Sequence, residues 1–191
     1  MLTFASALEN KPHAVGRRRF ILGAVLLAGG AALAAVRTSG YDVPEARAAT
    51  LLALSPWQLV VVEHAARRIC APDRDDDPSI PTADDVDVAG FVDLYVARLP
   101  DELRTDVLAL FGYVEHVAPL RVGLASRFTR LPPEDQDRVL AAMESSSVDL
   151  LRGGFAGLKS LAFMGYYRDP RTWKILGYAG PWVGRPAKGW W

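Results

Sequence analysis

Apolar residues recur every three or four positions through most of this chain, and this spacing limits the possible folds more than any other feature. Such stripes run from Trp57 to Ala162, and no segment shows the alternation of polar and apolar residues that a half-buried strand requires. Ser55 as N-cap and Pro56 as first helical residue predict the start of a helix that is apolar over more than half of its circumference. The pattern therefore predicts an all-α fold, a compact irregular bundle with this helix near its centre.

The later helices are predicted with less regular boundaries. Pro119 is expected to interrupt a helix, and a shorter helix should follow it as far as Phe128. Ser147 is expected to cap the last long helix. Three glycines in that helix are expected to permit close approach of a neighbouring helix: Gly153, Gly154 and Gly157.

The first 48 residues are predicted to be a signal segment and linker. Arg17 and Arg18 precede an apolar run of 17 residues, Phe20–Val36, which is rich in Ala and Gly. The arginine pair with Phe20 at the border of the run resembles a twin-arginine export signal, and a plain membrane anchor is the alternative. The twin-arginine pathway carries folded proteins, so the twin-arginine translocase is an expected partner.

Two stretches of small residues could serve as cleavage sites for this signal. They are Ala32-Leu33-Ala34, inside the apolar run, and Ala46-Arg47-Ala48, after it. The second would leave an exported chain that begins near Ala49. On this basis the chain divides into a signal segment (1–48), a helical domain (49–182) and a Trp-rich tail (183–191), to which no role is assigned.

Charge is distributed unevenly along the exported part. Residues 49–149 carry a net charge of −9, whereas residues 150–191 carry +6. This division indicates either two differently charged faces of one domain or a basic end that meets an acidic partner or membrane headgroups. The basic residues form no stripe, so no nucleic-acid partner is expected.

No catalytic, cofactor-binding or metal-binding motif with the required residue spacing is found in the sequence. Glu63-His64 and Glu115-His116 are adjacent pairs, and adjacent residues on a helix point about 100° apart, whereas helical di-iron sites place Glu and His three residues apart. Cys70 is alone and is expected to be a small buried residue. An acidic loop mimics a calcium-binding loop, but Pro78 occupies the position that requires a left-handed turn; its candidate ligands are Asp73, Asp75, Asp77 and Asp84.

The segment 163–182 is the most distinctive part of the chain, because it holds two of the five Trp and three of the six Tyr residues. Asp169-Pro170 predicts a helix end followed by a new start, and Gly177 is expected to cap the short helix that follows. Aromatic residues beside arginine are typical of interface cores, although the rings could instead pack on the protein's own helices. The candidate interface residues are Tyr166, Tyr167, Arg168, Asp169, Pro170, Trp173, Tyr178 and Trp182.

These features together resemble a known family. The closing pattern is similar to that of gluconate 2-dehydrogenase subunit 3, the small subunit of a bacterial membrane-bound enzyme, over about residues 54–182. The matching positions are Gly165, Tyr167, Asp169, Pro170, Trp173, Gly177, Tyr178 and Gly180.

The resemblance implies an accessory role. Members accompany a large FAD-binding flavoprotein of the glucose–methanol–choline class, and often a cytochrome c subunit that carries haem c. The small subunit lacks a catalytic centre and assists export and maturation of the flavoprotein, so a periplasmic, membrane-associated location is implied. Two alternatives remain open: an independent exported metal-binding helical domain that uses His64 and His116, and a membrane-tethered structural protein.

Overall fold

The computed structural model describes residues 40–71 and 79–180, and all regular elements in these two ranges are helical. The prediction of an all-α fold is confirmed. In chain order the α-helices are α1 (Glu45–Ala48), α2 (Pro56–Ile69), α3 (Val88–Ala97), α4 (Asp101–His116), α5 (Ala118–Arg121), α6 (Pro133–Glu144) and α7 (Asp149–Tyr167). Two 3₁₀ helices add to them, the first at Phe128–Arg130 and the second at Pro170–Leu176.

Helix α2 lies at the centre of the bundle, as its apolar surface predicts. It packs against α3, α4, α6, α7 and the first 3₁₀ helix. Its start is also as predicted, because Ser55 is the N-cap, Pro56 follows it, and the backbone N–H of Ser55 donates to the side chain of Gln58 at 2.9 Å. Leu59 and Val61 have no exposed surface, so two faces of α2 are buried in the core.

Two of the predicted helix boundaries are wrong. The helix that contains Pro119 ends at Arg121, because Gly123 has a φ of +79° and the helix cannot continue through that conformation. Phe128 therefore belongs to a separate 3₁₀ helix. At the start of α7 the N-cap is Val148 rather than Ser147, and its N–H donates to the hydroxyl of Ser146.

Close helix approach occurs at one of the three predicted glycines, Gly154, and at a further glycine, Gly165. A methyl group at Gly165 would lie 3.0 Å from Cγ1 of Val88 and 3.1 Å from Cδ1 of Phe91, so this glycine lets α7 lie directly on α3. A methyl group at Gly154 would lie 3.0 Å from Cδ1 of Leu110 on α4, whereas Gly153 and Gly157 have no neighbour within 4 Å. The crossing of α7 and α3 is thus fixed near the C-terminal end of α7.

The segment 40–48 packs against the helical body. Val43 lies against the hydrophobic core. The side chain of Tyr41 donates a hydrogen bond to Glu115 of α4, and the side chain of Arg47 donates one to Asp87. Residues that precede Ala49, the predicted start of the helical domain, therefore also pack on the helical body. The proposed signal residues Arg17, Arg18 and Phe20 and the tail 183–191 lie outside the described residues.

None of the helices in the two described ranges is long and apolar enough to cross a membrane.

Candidate partner interface

The second 3₁₀ helix is built by its two end residues. Asp169 is its N-cap, and its carboxylate accepts the backbone N–H of Arg171 at 2.9 Å, with Pro170 in the first position. Gly177 ends the helix in a left-handed conformation with a φ of +60°. The predicted break at Asp169-Pro170 and the cap at Gly177 are both confirmed.

This C-terminal segment is attached to the loop before α3 by three side chains that reach backbone carbonyls. The hydroxyl of Tyr166 donates to the carbonyl of residue 81 at 2.7 Å, Arg168 donates to that of residue 86 at 3.0 Å, and Arg171 donates to that of residue 85 at 3.1 Å. All three bonds join parts of the chain more than 80 residues apart. They hold the segment in a defined position on the bundle.

A second set of contacts acts within the segment. Thr172 has no exposed surface, and its hydroxyl donates to the carbonyl of Asp169 at 2.8 Å. The indole N–H of Trp173 donates to the carbonyl of Tyr167 at 2.8 Å, and the Trp173 ring packs against Tyr178 at a centroid distance of 5.2 Å. The indole N–H of Trp173 is therefore engaged within the segment, while one face of the segment remains open.

The open face is apolar. Ile175, Leu176 and Tyr178 are 42%, 58% and 40% exposed, and we call these three residues the 175–178 patch. Single exposed apolar side chains are ordinary on protein surfaces, but three within four consecutive positions on a firmly attached segment are typical of a binding surface.

Three basic residues precede or accompany the patch in the sequence, Arg168, Arg171 and Lys174, and some of their charge is paired. The hydrogen bond from Arg171 holds the pKa of Asp169 below its usual value, so this carboxylate is ionised at neutral pH. Arg168 lies 5.3 Å above the ring of Phe91 in a cation–π contact. With Lys174 the segment has three positive charges against one negative charge, which favours an acidic or neutral partner surface.

The structure separates the predicted interface residues into two groups. Tyr166 is 1% exposed and lies in the core, so it supports the segment from below and presents no surface to a partner. Its assignment to the interface is corrected on this ground. Trp182 lies outside the described residues. The others lie at the surface or half-buried: Tyr167, Arg168, Asp169, Pro170, Trp173 and Tyr178.

The candidate metal ligands that the structure describes are in contact with other protein side chains. Nδ1 of His64 lies 2.8 Å from the amide nitrogen of Gln136, and the ring of His116 packs against Trp57. Asp84 forms an ion pair with Arg67 at 2.7 Å, whereas Asp73, Asp75 and Asp77 lie outside the described residues. Within residues 40–71 and 79–180, no three His, Cys, Asp or Glu side chains converge as metal ligands would.

Sequence reasoning missed the role of Glu115. Its carboxylate has no exposed surface and accepts hydrogen bonds from the hydroxyl of Tyr41 at 2.6 Å and from the hydroxyl and N–H of Thr129 at 2.7 and 3.1 Å. The guanidinium of Arg127, itself 6% exposed, lies 3.9 Å away and stacks over the Tyr41 ring at 4.5 Å. No local pattern signals this cluster, because Tyr41 is 74 positions from Glu115.

The family described as Gluconate 2-dehydrogenase subunit 3 matches residues 56–180, well over half of the chain. The chain belongs to this family. Comparisons with curated proteins and with solved structures give no match. In this subunit 3 chain the matched region begins at the first residue of α2 and includes the second 3₁₀ helix and the 175–178 patch. The segment 40–48 lies before the matched region.

Proposed function

We propose that this subunit 3 chain is a non-catalytic accessory subunit, which binds an FAD-dependent dehydrogenase and assists its export, maturation and assembly. The family match carries the proposal, since the family is defined as one subunit of a larger enzyme. FAD is assigned to a large flavoprotein partner and haem c to a cytochrome partner. Within the described residues no strand precedes a glycine-rich turn, so the usual dinucleotide-binding geometry has no counterpart in this part of the chain.

The surface of the second 3₁₀ helix supports a docking role. The bond from Arg171, with those from Tyr166 and Arg168 just before this helix, holds the segment before any partner arrives, so little conformational entropy would be lost on binding. The exposed side chains of the 175–178 patch would provide the apolar centre of the interface. Arg168 and Lys174 would provide a positively charged rim.

Export is part of the same proposal. The twin-arginine-like segment at Arg17-Arg18 would carry the folded complex through the twin-arginine translocase, and the complex would then reside in the periplasm in association with the membrane. A signal of this type suits a chain that travels with a cofactor-loaded partner.

The proposal is tested by co-expressing the chain with a candidate flavoprotein partner from the same genome. We expect flavoprotein and dehydrogenase activity in the periplasm only when this chain is present with Arg17 and Arg18 intact. Substitution of both arginines by lysine should leave both proteins in the cytoplasm. Export of active flavoprotein in the absence of this chain would overturn the proposed function.

The interface is tested separately by a matched pair of variants. Leu176→Ser removes a 58% exposed side chain from the patch, and Leu120→Ser removes a 56% exposed side chain from α5. We expect Leu176→Ser to weaken binding of the flavoprotein about tenfold or more, as truncation of an interface anchor does, and Leu120→Ser to leave it unchanged. Equal binding by the two variants and the unaltered chain would exclude the patch as the docking surface.

A further inference from the structure

The segment 40–48 lies across the bundle and is held at two places. Near its beginning, Tyr41 reaches the buried carboxylate of Glu115, and its ring lies between Arg127 and Trp57, at 4.5 Å from the guanidinium and 6.4 Å from the indole. Near its end, Arg47 bonds to Asp87 at 2.5 Å and lies 3.9 Å from Glu63. The two attachments are on different helices, so the segment joins α4 to the start of α3.

Removal of this segment would take one hydrogen bond away from Glu115 and leave this carboxylate with the two from Thr129. Glu115 has no exposed surface while the segment is in place, so losing Tyr41 would remove a hydrogen-bond donor and a neighbouring ring from this buried carboxylate. Burial and the hydrogen bond to Glu115 raise the pKa of Tyr41 well above its usual value, which keeps the hydroxyl protonated as a donor at neutral pH.

The backbone at the Ala46-Arg47-Ala48 site is not in the form that a peptidase binds. Residues 45–48 are helical, and the N–H groups of Ala48 and Ala49 donate to the carbonyls of Pro44 and Glu45 at 2.9 Å. Peptide-binding clefts that pair with a substrate backbone take it in extended form, so this turn would have to unwind first. Cleavage of a folded chain is concentrated at exposed segments with few backbone bonds.

We propose that residues 40–48 form a permanent clasp of the folded domain, and that processing of the export signal takes place upstream of Gly40. The Ala46-Arg47-Ala48 site then resembles a cleavage site in its sequence but is not cleaved. The inference rests on the proposed export of the chain, but concerns a different property, the first residue of the exported protein.

The first test identifies that residue. The full chain is expressed with its partner, the periplasmic and cytoplasmic fractions are separated, and the N-terminus of the chain in each is determined by mass spectrometry. The fraction in which the chain is found shows whether it is exported, whereas its N-terminal residue shows whether residues 40–48 are kept. We expect the periplasmic chain to begin at or before Gly40. A periplasmic chain that begins at Tyr41 or later, above all at Ala49, would overturn the inference and leave the export proposal intact.

The second test needs no export. The full chain, purified from the cytoplasm, is treated briefly with trypsin, and the release of the fragment that begins at Ala48 is followed by mass spectrometry. Tyr41→Phe removes the hydroxyl that bonds to Glu115, and Tyr95→Phe serves as the matched control, since Tyr95 is a 37% exposed tyrosine on α3.

We expect cleavage after Arg47 to be about tenfold faster in Tyr41→Phe, because cleavage follows the population of the opened segment and that bond opposes opening. Tyr95→Phe should be cleaved at the original rate. If both variants and the unaltered chain release the fragment at one rate, the segment is not held by this bond and the clasp is excluded.

Discussion

The hydroxyl of Tyr41 lies 2.6 Å from a carboxylate oxygen of Glu115, a residue with no exposed surface. Because a hydrogen bond to a buried charged group contributes about 1.5–3 kcal/mol, we expect Tyr41→Phe to lower the free energy of unfolding by that amount. Glu115→Ala should cost about 3–5 kcal/mol, because it leaves Arg127 buried without its acid. Urea unfolding of the two single variants and the double variant measures the coupling. Strictly additive effects would show that the two residues do not interact.

A glycine pair on α7 gives a prediction with its own control. Gly165→Ala would place a methyl group 3.0 Å from Val88, so we expect a loss of about 1–3 kcal/mol from overpacking. Gly157→Ala meets no atom within 4 Å and should stabilise the helix by up to about 1 kcal/mol, since alanine favours helix over glycine. Thermal unfolding of both variants checks the signs. Equal stabilisation by the two substitutions would contradict the close crossing of α7 and α3.

His64 predicts a loss of stability in mild acid. Burial, aided by the charge of Arg67, lowers the pKa of His64 below its ordinary 6.5. The amide nitrogen of Gln136 can only donate, so Nδ1 accepts and is unprotonated. The unfolded chain therefore binds more protons than the folded chain just below pH 6.5, and the free energy of unfolding should fall as the pH drops through this window.

The neighbouring Glu63 acts in the opposite direction. Burial raises the pKa of Glu63, so its contribution to stability grows as the pH falls through its folded value. The measurement is thus the difference between the unaltered chain and His64→Gln, taken by urea unfolding from pH 7.5 to about 5. We expect the free energy of unfolding of the unaltered chain, minus that of His64→Gln, to decrease as the pH falls below 6.5. A difference independent of pH would show that His64 does not titrate as described.

Cys70 is expected to be unreactive in the folded protein. Burial raises the pKa of its thiol to about 12, so the thiolate is scarce at pH 8. We expect reaction with a thiol reagent to be slower than in the urea-unfolded chain by a factor of more than roughly a hundred, because the thiolate is the reacting species. Absorbance of the released thiol product follows the reaction. Similar rates with and without urea would contradict the buried position of Cys70.

Local signals in the sequence were sufficient for the ends of several elements. Ser55 and Pro56 start α2, and Asp169 and Gly177 bound the second 3₁₀ helix, because each of these roles depends on the conformation of one residue and its immediate neighbours. The predicted start of α7 was wrong because neighbouring residues compete for the capping position. Ser147 is a good capping residue, but the structure uses Val148 with support from Ser146.

The sequence indicated a candidate interface in the segment 163–182, but it did not show which side chains of this segment are exposed. The predicted interface residues included both Tyr166 and Tyr178, with packing of the rings on the protein's own helices as the alternative; Tyr166 turns into the core and Tyr178 stays at the surface. Both are tyrosines in a similar local context. Their difference depends on the backbone carbonyl of residue 81, which lies 85 positions before Tyr166 and bonds to its hydroxyl.

The sequence by itself determined that this chain is helical, where most of its helices lie and which family pattern closes it, since periodic apolar residues and capping residues act over a few positions. Only the tertiary structure decided that Tyr41 bonds to Glu115, that Gly165 rather than Gly157 lies under a neighbouring helix, and that residues 40–48 pack on the helical body. These relationships join residues far apart in the chain. Their energies depend on burial and contact that arise only when the helices pack.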